Sequence, residues 1–206
     1  MAPRFLLHHS PRSRSERALW LLEEAGASYE LIRHDLEKGT NKAPDFLRLN
    51  PLGKLPVLVD RGPDGSWQSV VTESLAICGY IADALPEAGL APAIGTPERA
   101  AYASWLAYGA TVLEPAFADA VFPRAAAAPA RALGWPPLDA VLAQLEAALT
   151  PGPYLLGDRF TAADVMVGSM LQWGVGWGKI APTPAIARTL AALEARPALA
   201  RARAAA

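Results

Sequence analysis

Asn50-Pro51-Leu52-Gly53-Lys54-Leu55-Pro56-Val57-Leu58, read with Thr72-Glu73-Ser74 downstream, is the stretch on which the fold turns. Pro56 stands immediately before the apolar run Val57-Leu58-Val59. A proline has no N–H to give to a sheet ladder, so it belongs at the first residue of a strand. The reading is a loop that presents backbone to a ligand, then a strand, then a helix start that can hold a carboxylate. A cis Leu55–Pro56 bond would turn the chain sharply and let Val57 offer its N–H and C=O to something outside the sheet. A trans bond would leave a plain turn into a strand, and the sequence is compatible with either.

Upstream of this stretch, Phe5-Leu6-Leu7-His8 reads as a short buried strand, and Ser10-Pro11 as a turn. Ser13-Arg14-Ser15-Glu16 has the spacing of a capping box, with Ser13 as N-cap and Glu16 three positions on. Ala18, Leu19, Leu22 and Ala25 continue a helical period that Gly26 is placed to stop. Tyr29 to Arg33 is a second strand, which makes a βαβ unit with parallel strands. Downstream, the turn Gly62-Pro63-Asp64-Gly65 folds Val57-Leu58-Val59 against Trp67 to Val71 as a hairpin. Glu73 or Ser74 then opens a helix with Ile77, Tyr80, Ile81 and Leu85 on its apolar side. Residues 1–85 thus form one α/β domain.

Residues 86–95, rich in proline and glycine, read as a linker. Residues 96–206 show only helical patterning. Thr96-Pro97-Glu98 starts a helix with Pro97 at its first position, and Pro115 is expected to kink or end it. The Ala-rich stretch Ala125 to Ala132 stays open between loop and helix. Pro137 to Leu149 is a further helix, and Pro184 onward a last one, restarted near Pro197. Phe160-Thr161-Ala162-Ala163-Asp164-Val165 carries a second capping box, with Asp164 in place of glutamate.

Composition excludes several classes of function. The chain has 206 residues, 52% hydrophobic and 19% charged, which fits a packed globular protein. Nineteen basic and 20 acidic residues give a net charge of -1, so no broad electrostatic footprint for nucleic acid is expected. Phe5-Leu6-Leu7 is too short an apolar run for a signal peptide core or a membrane span. The only cysteine is Cys78, so no intrachain disulfide forms and a reducing, cytoplasmic location is expected. Three scattered histidines and one cysteine offer no metal-ligand spacing, and no metal is expected.

Four segments together resemble the cytosolic glutathione S-transferase family over essentially the whole chain, as a bacterial chain of serine-type or unassigned class. They are Ser10-Pro-Arg-Ser-Arg-Ser, Asn50-Pro-Leu-Gly-Lys-Leu-Pro-Val-Leu, Thr72-Glu-Ser-Leu-Ala-Ile and Phe160-Thr-Ala-Ala-Asp, in that order, with the domain switch between them. The resemblance implies an α/β plus all-α architecture: a thioredoxin-like N-terminal domain and an all-helical C-terminal domain, usually as a homodimer. It also implies glutathione as cosubstrate and an apolar electrophile as its partner in reaction.

The residues make chemical sense of that ligand. Ser74 and the N–H groups of a helix start suit the γ-glutamyl carboxylate. Glu73 suits its ammonium. Lys54 suits the other carboxylate, and Leu55, Pro56 and Val57 would lay the cysteinyl backbone along the sheet as an edge strand does. Each has a plainer reading: a helix cap for Glu73 or Ser74, a solvated side chain for Lys54.

The thiol must be made anionic. A free thiol titrates near ~8.5, and lowering that by about two units takes about 2.7 kcal/mol. A hydrogen bond from a hydroxyl to a charged group gives about 1.5–3 kcal/mol. A helix N-terminus adds roughly 0.3–1 kcal/mol. Ser10, Ser13 and Ser15 compete for this role; Ser13 is favoured, against the reading that it only caps its helix. Arg12, Arg14 and Arg17 oppose the dipole of that helix start, a conflict that a bound anion would relieve. No cysteine lies in the segment, so transfer through a mixed disulfide is not expected, and Cys78 reads as inert core.

Tyr102, Trp105, Tyr108 and Trp173, with Trp177, are candidates to line an electrophile pocket between the domains, although aromatic residues at helical spacing are more often core. Two alternatives stand beside a transferase: a non-catalytic binding or interaction protein on the same scaffold, and a glutathione-dependent peroxidase.

Overall fold

The structure is a computed structural model that describes residues 3–126 and 128–206; Met1, Ala2 and residue 127, which falls in the Ala125–Ala132 stretch, lie outside the described residues. The chain divides into two compact units. One comprises Met1–Ala88 with Pro197–Ala206, the other Gly89–Arg196.

The first unit is built on a four-stranded mixed sheet: β1 (Phe5–His9), β2 (Tyr29–Arg33), β3 (Val57–Asp60) and β4 (Ser69–Thr72). Its order is β2-β1-β3-β4, with β1 and β2 parallel and the other pairings antiparallel. The parallel pair is joined through α1 (Ser15–Glu24), as the βαβ reading requires. Gly26, at φ 59°, ends the run beyond α1. The short α2 (Pro44–Leu49) precedes the loop into β3, and α3 (Ser74–Ala84) follows β4. Phe5, Leu7, Leu19, Leu22, Val57, Leu58, Ile77 and Ile81 are all buried here. This is the thioredoxin-like arrangement.

Two expectations for this unit change. The strand after Pro56 is not a margin: β3 lies between β1 and β4, and Val57 pairs in register with His8 on one side and Thr72 on the other. The helix after Ser10 starts at Ser15 rather than after Ser13, with Arg14 as its N-cap and no side-chain cap bond. Glu16 is drawn away from a capping box because its carboxylate takes the Arg12 N–H at 2.6 Å.

The second unit is helical: α4 (Pro97–Tyr108), α5 (Glu114–Val121), α6 (Leu138–Leu149), α7 (Ala162–Gly176) and α8 (Pro184–Glu194). Thr96 caps α4, its hydroxyl accepting from Arg99 N–H. The α-helix gives way to a turn of π type over Gly109–Leu113 just ahead of Pro115, which falls in the first turn of α5. Asp164 accepts from Thr161 N–H (2.8 Å), Thr161 Oγ1 (2.9 Å) and Leu155 N–H (2.8 Å), fixing the start of α7. Leu90, from the expected linker, is held to this unit by the Ala162 N–H at 2.9 Å.

The last helix, α9 (Pro197–Ala205), differs from the expectation of one helical domain over 96–206. It packs on α1 in the first unit, where Arg201 Nε donates to Glu23 Oε2 at 2.6 Å and Arg201 Nη2 to the Glu23 carbonyl at 3.0 Å. No helix among the described residues is long and apolar enough to cross a membrane.

Candidate functional site

A cleft of about 220 Å³ in the first unit is lined by Arg14, Asn50, Lys54, Leu55, Pro56, Glu73 and Ser74. Lys54, Leu55 and Pro56 come from the loop before β3, Glu73 and Ser74 from the start of α3. The loop is shaped by side chains that bond to its backbone. Asn50 Nδ2 donates to the Lys54 carbonyl at 2.9 Å, and Asn41 Nδ2 to the Gly53 carbonyl at 2.7 Å. Lys42 Nζ donates to the Leu52 carbonyl at 2.9 Å. Gly53 is needed twice over. Its φ is +60°, and a Cβ there would stand 2.6 Å from Lys42 Nζ and 2.9 Å from the Asn41 carbonyl oxygen.

The Leu55–Pro56 bond is cis. Because β3 is an internal strand, the backbone open to a ligand is not that of Val57, which is fully buried and does not line the cleft. It is that of Leu55, half-buried, whose N–H and C=O make no hydrogen bond among the described residues. The open backbone of the motif is thus that of Leu55 rather than Val57.

Glu73 adopts φ 69° and ψ 127°, a left-handed backbone in a residue with a side chain. Such conformations cost on the order of 1–3 kcal/mol and concentrate at functional sites. Neither Glu73 nor any other side chain caps α3, so the plain capping reading of Glu73 and Ser74 is not what the geometry uses. Glu73 and Lys54 are both exposed, and among the described residues neither charged group has a hydrogen-bond or ion-pair partner. The cleft thus holds a cation and an anion not committed to each other, with Arg14 as a second cation.

Ser10, Ser13 and Ser15 do not line the cleft; Arg14, between two of them, does. They form a cluster of their own with His9. Ser13 Oγ donates to the Ser10 carbonyl at 2.7 Å and lies 2.7 Å from Ser15 Oγ. Ser15 Oγ accepts from Ser10 N–H at 3.1 Å and lies 2.9 Å from His9 Nδ1. Ser15 and His9 are fully buried and Ser10 nearly so, while Ser13 is half-exposed. Burial, helped by the Arg33 charge, pushes the His9 imidazole down to about 4, so the ring is neutral at pH 7. Cys78 lies in the core of α3, where burial pushes its thiol up to about 12 against the pull of Arg17, which leaves it unreactive.

The aromatic candidates all lie in the second unit. Tyr102 is 1% exposed and offers no surface to a substrate, which corrects its place among the pocket residues. Trp105 meets Tyr108 edge-on at 5.1 Å, and Tyr108 Oη donates to the Val141 carbonyl at 3.2 Å. Trp173 stacks on the exposed Trp177 at 6.1 Å. A cavity of about 690 Å³ in this unit, walled by Ala116, Asp119, Leu133, Trp135 and Leu138, includes none of these five aromatic residues. Among the described residues no group of three or more His, Cys, Asp or Glu side chains could hold a metal ion.

Two features of the site had no place among the predicted residues. Asn50 lay inside the quoted motif, and its position after a short helix was the available signal. The contact of His9 with Ser15 joins β1 to the start of α1, for which the sequence offers no periodic signal.

Residues 3–83 match the family described as glutathione S-transferase, N-terminal domain, and residues 128–174 the glutathione S-transferase C-terminal domain. Glutathione S-transferase 3 of Zea mays is 32% identical, with 88% of this chain and 90% of that one aligned. The structure of a ternary complex of BphK, a bacterial GST, superposes with a TM-score of 0.79 at 30% identity, covering 97% of this chain and 98% of that one. A sphingomonad glutathione S-transferase complexed with glutathione superposes with a TM-score of 0.77 at 31% identity, covering the same shares.

Proposed function

The chain belongs to the glutathione S-transferase family, and from that premise we propose how its own residues take up glutathione and activate it. It is a glutathione transferase: it joins the sulfur of glutathione to a small electrophile. In our reading Glu73 takes the γ-glutamyl ammonium, and Ser74 with the first N–H groups of α3 takes the neighbouring carboxylate. Leu55 pairs its backbone with the cysteinyl unit. Lys54 meets the glycyl carboxylate, and Arg14 lines the same cleft.

The observation that carries this reading is the pairing of Lys54 and Glu73 across one cleft, two opposite charges that leave each other alone. Glutathione has two carboxylates and one ammonium; Lys54 and the first N–H groups of α3 suit the carboxylates, and Glu73 suits the ammonium.

Ser13 supplies the hydrogen bond that makes the sulfur anionic. It is the least buried of the three serines and immediately precedes a cleft residue. The thiolate then attacks the electrophile; the S–C bond forms as the leaving group departs or a double bond accepts the electron pair, and the thiol proton goes to solvent. Trp105, Tyr108 and Trp173 remain candidates to receive an apolar electrophile. A cytoplasmic compartment, which keeps thiols reduced, and a homodimer complete the proposal.

Calorimetric titration with glutathione, followed by turnover of an activated aryl halide, tests it. Saturable binding near one site per chain and glutathione-dependent turnover are expected. Absence of binding would end the reading, and binding without turnover would leave a binding protein.

A further inference from the structure

We propose that His9 and Ser15 are positioning residues that leave Ser13 with only its proton to offer, so that its hydroxyl meets a bound sulfur as a donor. The inference rests on the reading of Ser13 given above and adds the groups that aim it.

It follows from counting donors and lone pairs. His9 is fully buried, with Nδ1 2.9 Å from Ser15 Oγ and Nε2 buried without a hydrogen-bond partner among the described residues. One neutral tautomer would bury an unpaired N–H at Nε2, the other only a bare lone pair. Orphaned buried N–H groups are the rarer of the two, because the full desolvation of a donor is left uncompensated. His9 therefore carries its proton on Nδ1 and donates it to Ser15 Oγ.

A serine hydroxyl has one proton and two lone pairs. Ser15 Oγ receives His9 Nδ1–H and, at 3.1 Å, Ser10 N–H, which fills both lone pairs. Its own proton must then be given away. Ser13 Oγ is the nearer acceptor at 2.7 Å; the Ser10 carbonyl is at 3.1 Å. Ser13 Oγ also receives Ser15 N–H at 3.3 Å. Both of its lone pairs are now occupied, and its proton rests on the Ser10 carbonyl at 2.7 Å. Turning that proton from a neutral carbonyl to a thiolate exchanges an ordinary hydrogen bond for a charge-assisted one. Without His9 and Ser15, the same hydroxyl could meet the anion with a lone pair.

Two measurements decide the matter. Nitrogen NMR of the imidazoles in the glutathione-free protein reads the His9 tautomer. A proton on Nδ1 is expected; a proton on Nε2 overturns the inference whether or not glutathione binds, so this result is separate from the fate of the binding proposal. The second is thiolate absorbance of bound glutathione. Ser15→Ala should lower the thiolate fraction at neutral pH about three- to tenfold, and Ser15→Thr, which keeps a hydroxyl, should restore it. Ser15→Ala added to Ser13→Ala should change nothing further, because Ser15 acts through Ser13. A Ser15→Ala protein that melts and binds glutathione as the parent does, yet keeps the parent's thiolate fraction, would overturn the inference.

Discussion

Asn50 Nδ2 donates to the carbonyl of Lys54 at 2.9 Å, and with that bond the loop 50–54 closes on itself and turns Lys54 toward the cleft. Asn50 Oδ1 in turn accepts from Leu52 N–H at 3.2 Å, so one amide satisfies both ends of the turn. Asn50→Ala removes both bonds. Glutathione affinity should fall about three- to tenfold, as loss of loop order costs about 1 kcal/mol in binding. Asn50→Asp keeps the acceptor but not the donor, and should lie closer to Asn50→Ala than to the parent. Calorimetry on the three proteins checks the order.

Glu73 separates stability from function. At φ 69° its backbone is strained in the free protein, and a glycine there is not. Glu73→Gly should raise the unfolding free energy by up to about 1 kcal/mol while glutathione affinity drops about 10- to 100-fold. Glu73→Ala should lose the same affinity without the gain in stability. Chemical denaturation and calorimetry together read both effects. Unchanged affinity in both variants would contradict the assignment of Glu73 to the ammonium.

The folded protein should lose stability as pH falls from about 6.5 to about 4. Burial pushes both His8 and His9 from 6.5 down to about 4, with the charge of His34 adding to the effect at His8 and that of Arg33 at His9. In that window the unfolded chain binds protons at these two rings and the folded chain does not, so acid favours unfolding. Asp164 acts in the opposite sense. Burial outweighs its three hydrogen bonds and holds its carboxyl up at about 6, so the folded form takes that proton first. His34, whose imidazole burial also lowers, acts in the same sense as His8 and His9, so the histidines outweigh the one aspartate and unfolding takes up protons. Melting temperature against pH should fall over this range, and Asp164→Asn, which removes the offset, should steepen the fall.

Asp164 also bears on the second unit directly. Asp164→Ala leaves the Thr161 and Leu155 N–H groups at the start of α7 without their acceptor, in a setting where Asp164 is 2% exposed. We expect a loss of about 3 kcal/mol at pH 7, several times that of an ordinary capping substitution. Equilibrium unfolding in urea would measure it.

What was legible in the sequence is what local chemistry decides. Pro56 before Val57-Leu58-Val59 marks a strand start because proline cannot donate, and β3 begins at Val57. Thr161 and Asp164 announce a helix start because their spacing closes one ring of hydrogen bonds, and α7 begins there. What was not legible depends on residues far apart in the chain. Whether β3 is an edge or a central strand is set by β1 and β4, so Val57 could not be told from Leu55 as the residue with open backbone. The hydroxyl of Ser15 meets His9 on β1, a contact that no helical period announces. The return of α9 to the first unit rests on Arg201 and Glu23, which share no sequence pattern.

The most direct test of the account is the ultraviolet titration of glutathione bound to the parent protein and to Ser13→Ala. The bound thiol should titrate about two units below the ~8.5 of a free thiol, and Ser13→Ala should return most of that shift while leaving affinity within a few fold. A bound thiol that titrates where the free one does, or a shift that survives in Ser13→Ala, would contradict it.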